Sequence, residues 1–316
     1  MIDPESKPQE PELSPFPASG QPLPQTAPAE DQTPELFQSW SRPEIVAPAR
    51  IPHLGHLCLL APLGALGFAC AAMLLLVALH FQLFGIATEA KAATEIHYML
   101  GSEATIYLVT FGLSLIVFPF LWNKNFFAGI QWRGATALRL YWPLLATALG
   151  CVLLAMLDEI LLPGPPNAPI DEIFRSPGAA WLMFGFGVTL APFFEEIFFR
   201  GFLLPALATA CDWMDERFTG EPPRPLDEDG APQWSIPAMV IASIATSLPF
   251  ALMHGEQTGK SIGPFLLLAA ISLILCAVRL KTRSLAASTL VHAFYNFLLF
   301  SIMMLGTGGF RHLQNM

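Results

Sequence analysis

The sequence predicts an all-α fold: a polytopic transmembrane helical bundle of about seven spans, preceded by a disordered N-terminal tail. Three observations predict it. Of the 316 residues, 53% are hydrophobic and only 13% are charged, where soluble globular chains carry about a quarter charged residues. Several stretches reach the ~20 apolar residues that a bilayer's hydrocarbon core requires. Lysine and arginine alternate between connectors as they do in multi-pass membrane proteins. The net charge of -9 comes largely from termini and loops. No basic stripe exists to neutralise phosphates, which argues against nucleic acid as a partner.

The elements follow in order. Residues 1–50 carry prolines at 4, 8, 11, 15, 17, 22, 24, 28, 34, 43 and 48 among Glu, Gln, Ser and Ala. Such a segment buries too little apolar area to offset its ordering entropy, so a disordered tail is expected. It lacks the basic n-region and apolar h-region of a cleavable signal peptide. Residues 51–178 hold the first spans, near Leu57–Leu83, Ala104–Trp122 and Leu140–Leu162. Residues 179–305 form a second group, with spans near Ala179–Ala208, Ile236–His254, Pro264–Val278 and Leu285–Leu305; 306–316 is a C-terminal tail. The longest connector, Cys211–Ser235, is rich in Pro and acidic groups and reads as a solvated, mobile loop. Trp122, Trp132, Tyr141 and Trp142 fit an interfacial aromatic belt. The five cysteines form no CxxC pair and read as small core residues.

Charge sets an orientation. Lys7, Arg42, Arg50, Lys124, Arg133, Arg139, Arg217, Arg224, Arg279, Lys281 and Arg283 fall on one side of seven crossings. Lys91, Arg175, Lys260 and Arg311 fall on the other. Eleven against four predicts a cytoplasmic N-terminus and a C-terminus on the far side.

Function shows where charge enters hydrocarbon. The fourth span contains Glu195, Glu196 and Arg200, and three centrally placed charges cost roughly 7–10 kcal/mol on insertion scales. Fourteen Leu, Ile, Val and Phe residues between Leu182 and Leu207 return about 4–8 kcal/mol. The helix needs neighbours or a wet cavity. Glu196 and Arg200 are four apart with the acid N-terminal, a favourable pair that could be purely structural. Glu195 lies about 100° round the helix, leaving an excess carboxylate that can exchange protons with water: the candidate general base. Phe250 and His254, then His292 and Asn296, repeat the four-residue spacing in the fifth and seventh spans. Any one such histidine could simply bond a backbone carbonyl. Three polar constellations in one bundle can converge on an interior cavity. Depth fits less well: Glu195 is expected about 20 Å from the cytoplasmic end of its helix and His254 about 27 Å from its own.

These residues resemble a known family. Glu195-Glu196-x-x-x-Arg200, Phe250-x-x-x-His254 and His292-x-x-x-Asn296 match, in order, the three motifs of the CPBP family, the CAAX-processing and bacteriocin-processing intramembrane endopeptidases. The resemblance covers about Ala179–Leu305 and implies helices enclosing a conical cavity open to the membrane and one aqueous face. It implies Glu195 as the water-activating base, Glu196 and Arg200 as its supporting pair, and His254 as a holder of the water. His292 and Asn296 would stabilise the oxyanion, and Phe250 would shield the site. The expected activity is hydrolysis of a peptide bond in a membrane-tethered peptide or lipidated protein substrate at the lipid bilayer. No cofactor is required on this reading. A divalent metal such as zinc could be held by Glu195, His254 and His292, although HExxH is absent. Rival readings are a proton- or ion-coupled transporter, against which no inverted repeat is visible, and a non-catalytic membrane binding or immunity protein derived from the family.

Overall fold

A computed structural model describes residues 50–164 and 176–310. The expected tail, apart from Arg50, and the last six residues lie outside the described residues. Seven helices are long and apolar enough to cross a membrane: α1 Leu54–His80, α2 Ile96–Trp122, α3 Tyr141–Leu161, α4 Pro177–Thr219, α5 Ile236–Met253, α6 Ile262–Thr282 and α7 Leu285–Gly306. No strand forms among the described residues, which hold one isolated bridge between Leu226 and Pro232.

Most termini follow local chemistry. Ser176, Ser235 and Ser284 begin α4, α5 and α7, each hydroxyl accepting the backbone N–H three residues on, which satisfies one orphan donor of the first turn. His53 begins α1, where its Nδ1 accepts the Gly55 N–H at 3.1 Å. Burial pushes the His53 imidazole below its usual value, which suits an acceptor.

Four boundaries differ from expectation. α2 starts eight residues before Ala104, so Glu103 is inside the helix. α4 runs past Ala208 to Thr219 and takes in Cys211. α6 is longer than Pro264–Val278 at both ends. Each error truncated a helix where polar residues interrupt the apolar run, although such residues retain helical geometry. The fourth is α1, displaced three residues toward the N-terminus. Trp122 is also no belt residue: it is buried, stacked 4.8 Å from Phe118. Cys58 and Cys70 are exposed rather than core residues.

Three small cores join the helices. Leu144, Ala148, Cys151 and Val152 of α3 meet Ile271 and Leu275 of α6 and Ala287, Val291 and Tyr295 of α7. Phe118, Trp122, Phe126 and Ile130 pack with Ile197 and Phe202 of α4 and Leu285 of α7. Leu204, Ala208, Ala242 and Cys276 tie α4, α5 and α6. Half of the most apolar window of α4 is buried, against 17% for α1, so α4 is the central helix. Large apolar side chains such as Phe120, Ile160 and Phe218 point outward, as a lipid-facing surface requires. Gly263 permits the start of α6 to meet the end of α3, because a Cβ there would run into the Leu162 carbonyl oxygen.

The connector expected to be mobile is tethered. Asp227 pairs with Arg283 at 2.9 Å and lies 3.8 Å from Arg133, which also pairs with Asp229 at 2.8 Å. Arg50 meets Glu216 at 2.6 Å, and Asp212 accepts the Ser235 N–H at 3.0 Å. The acidic run complements the basic residues on its own side of the bundle. Asp227→Ala is expected to cost the loop about 1–2 kcal/mol of local stability. Limited proteolysis within 220–235 should then run about tenfold faster, whereas an unchanged rate would mean the ion pairs do not hold the loop.

Candidate active site

Pro192 has no N–H and cannot close the bond to Val188, so α4 breaks just before it. Thr189 leaves helical geometry at φ -113°, ψ -71°, and its hydroxyl donates back to the Gly185 carbonyl at 2.6 Å. The break exposes the Gly187 carbonyl, which accepts the Asn296 Nδ2–H at 2.7 Å. Asn296 thereby braces α7 against the bend. Immediately after Glu196 the helix widens into a π-helical turn, Ile197–Leu203, a form that recurs at functional sites. Gly201 in that turn admits Leu285, whose Cδ2 lies 3.2 Å from where a Cβ would stand.

The turn carries Arg200 into the bundle. Arg200 Nη1 pairs with Glu196 Oε1 at 2.8 Å, and neither side chain has any exposed surface. Arg200 Nη2 donates to the Ser272 hydroxyl at 2.6 Å and to the Ser272 carbonyl at 3.1 Å. Its guanidinium carbon lies 4.6 Å from the Phe250 ring centroid, a cation–π contact in a desolvated setting. Glu196 Oε1 also accepts the His292 Nδ1–H at 3.1 Å. The structure thus joins Arg200, Glu196 and His292 through one carboxylate oxygen.

That bond orients the imidazole. With Nδ1 turned to Glu196, His292 Nε2 lies 3.9 Å from Glu195 Oε2. The separation exceeds a direct hydrogen bond. His254 is pinned in the same manner: its Nδ1 donates to the Phe250 carbonyl at 2.7 Å. A carbonyl only accepts, so the neutral His254 ring keeps Nε2 as an acceptor. Phe250 lies between the two histidines, 4.9 Å from the His254 ring and 5.9 Å from the His292 ring. Glu195, Glu196, Arg200, Phe250, His254 and His292 are therefore brought to one region. Asn296 stands at its edge, with one amide hydrogen committed to α4.

The expected order of depth reverses, because α4 is longer than its apolar run. α4 continues to Thr219, so Glu195 lies 24 residues, about 36 Å, from that end of its helix. His254 lies about 27 Å from Ile236. Both are deep.

Several neighbours escaped sequence reading. Ser272 stands in an apolar run of α6, where a lone serine signals little. Glu103 and Tyr107 of α2 contact one another at 2.7 Å, and Tyr107 lies 5.0 Å from the Phe194 ring. Glu103 fell one residue before the expected start of its span. A cleft of about 680 Å³ opens beside the α2–α3 connector, lined in part by Lys124, Phe127, Trp132 and Arg133. Its Trp132 meets Phe193 edge-on at 5.4 Å, two residues before Glu195.

Among the described residues, no three His, Cys, Asp or Glu side chains are grouped so as to hold a metal ion.

No curated protein and no solved structure matches the chain. Residues 177–298 match the family model described as type II CAAX prenyl endopeptidase Rce1-like, and all seven motif residues fall inside that segment. With seven apolar helices around it, the chain is a multi-pass membrane protein whose 177–298 segment is similar to the type II CAAX prenyl endopeptidase Rce1-like family.

Proposed function

We propose that this protein hydrolyses a peptide bond in membrane-tethered or lipidated substrates, using a water molecule activated by Glu195. The observation that carries the reading is the 3.9 Å gap between Glu195 Oε2 and His292 Nε2. A water oxygen about 2.8 Å from each atom fits that gap with normal hydrogen-bond lengths.

The chemistry follows from the fixed groups. Glu195 removes a proton from the water as the water's lone pair attacks the substrate carbonyl carbon. The carbonyl π pair moves to oxygen and forms a tetrahedral oxyanion. His254, with Nδ1 held by the Phe250 carbonyl, presents Nε2 to accept the water's second hydrogen. His292, anchored through Nδ1 to Glu196, turns Nε2 toward the oxyanion, and Asn296 has a second amide N–H for the same charge. Glu196 and Arg200 hold His292 in place, while Phe250 shields the group from lipid. Tethering of substrate to the bilayer confines it to the depth of Glu195. We assign the cytoplasm to the N-terminal side from the eleven-to-four excess of Lys and Arg.

The test is purified protein in liposomes with a peptide substrate, offered with and without a thioether-linked isoprenoid. Mass spectrometry is expected to find one backbone cleavage, faster for the lipidated peptide. Dissipation of a proton or ion gradient with no bond broken would sink the reading in favour of a transporter. No step above uses a metal, so dialysis against a strong chelator is expected to leave the cleavage rate within about twofold, a change of under half a kcal/mol. Loss of activity restored by zinc would assign Glu195, His254 and His292 to a metal instead.

A further inference from the structure

Glu103 and Tyr107 lie one turn apart on α2, outside the 177–298 segment that matches the family. The Tyr107 phenol donates to Glu103 Oε1 at 2.7 Å. The Tyr107 ring stands 5.0 Å from Phe194, the neighbour of Glu195, and stacks on Phe186 at 6.2 Å. α2 packs against both Pro177–Val188 and Leu190–Glu196 of α4. The Tyr107–Glu103 pair therefore lies against the Leu190–Glu196 stretch that carries Glu195.

Charge accounting gives the pair a task. Glu196 is taken by Arg200 and His292, and Glu195 is taken by the water. Glu103 forms no ion pair among the described residues and receives one hydrogen bond, from Tyr107. A carboxylate about 10 Å into an apolar helix is costly and marks a functional site by default. The reaction makes one new cation there. When the tetrahedral intermediate collapses, the C–N bond breaks and its electron pair goes to nitrogen. Both protons of the attacking water end on that nitrogen, one through Glu195, and the carbon keeps the water's oxygen as a carboxylate. The leaving fragment therefore begins with an ammonium, which is expensive in a low-dielectric site without a partner.

We propose that Glu103, positioned by Tyr107, receives the leaving amine and pairs with it as it becomes an ammonium. The ligand class is the amino terminus of a peptide. This inference rests on the endopeptidase reading and deepens it, because it assigns the leaving-fragment side of the site to a helix outside the family match.

The experiment compares an amide substrate with its ester counterpart, identical except at the scissile bond. The ester leaves as an alcohol and generates no ammonium. Glu103→Gln keeps an acceptor for Tyr107 but removes the charge. It is expected to lower the amide rate by about 10–100-fold, the value of one charged hydrogen bond, with a loss on the ester at least about tenfold smaller. Tyr107→Phe, which keeps the ring against Phe194, should show the same selectivity with a smaller loss. As an equilibrium readout, wild type should bind the free-amine leaving peptide about tenfold more tightly than its N-acetyl form, and Glu103→Gln should erase that preference. Equal losses on amide and ester, or an amine preference that survives Glu103→Gln, overturn this inference alone. A wild type that hydrolyses neither substrate overturns the endopeptidase reading and this inference with it.

Discussion

Glu195→Gln should insert, fold and cleave nothing above background. Removing a general base costs about 10²–10⁴-fold in rate, and here the base also holds the nucleophile. The fold should tolerate the change. The Glu195 side chain is 11% exposed, and its recorded polar neighbour is His292 Nε2 at 3.9 Å, so an isosteric amide breaks no direct hydrogen bond. Thermal unfolding in detergent should stay within about 1 kcal/mol of wild type, the usual range for a substitution that leaves packing intact. Cleavage within threefold of wild type would remove Glu195 from the role of base.

The second large effect is on stability. Arg200→Met should destabilise the protein by about 3–5 kcal/mol, because it leaves the Glu196 carboxylate, in a site with no exposed surface, with the His292 hydrogen bond but without its guanidinium partner. It also frees both Ser272 acceptors. The double variant Glu196→Gln/Arg200→Met has no stranded charge and keeps an acceptor for His292. It is therefore expected to be more stable than Arg200→Met alone, and its loss should fall about 1–3 kcal/mol short of the sum of the two single losses. Thermal or denaturant unfolding of the two single variants and the double variant measures the coupling. Additive losses would mean that Glu196 and Arg200 contribute independently, contrary to their 2.8 Å contact.

These expectations separate two carboxylates that sit side by side in sequence. Glu195 and Glu196 differ by about 100° of helix rotation, and the bundle treats them differently. One faces a gap where water fits; the other is locked between a guanidinium and an imidazole. The i, i+4 spacing of Glu196 and Arg200 was enough to read their pairing, and it left Glu195 as the unspent acid.

The site's outer members were harder to read. Glu103 precedes the most apolar part of α2, so hydropathy started that span at Ala104 and left the carboxylate outside. The observed helix begins at Ile96 and carries Glu103 at its second turn. Likewise Arg217 and the acidic residues near it disguised the last turns of α4 as loop. Backbone hydrogen bonds continue through such residues, and hydropathy does not register them.

The amino-acid sequence alone determined seven apolar helices, the charge bias between their ends and the four-residue spacings that align side chains along single helices. These are local quantities, fixed by 1.5 Å of rise and 3.6 residues per turn. Only the tertiary structure decided that His292 turns its Nδ1 to Glu196 across 96 residues of chain, that Asn296 braces the break at Gly187, and that α2 sets Tyr107 against Phe194, the residue before Glu195. The physical reason is that helices apolar on nearly every face carry no stripe to announce their partners. Which faces meet is settled by close packing and by the few polar groups that must find one another away from water.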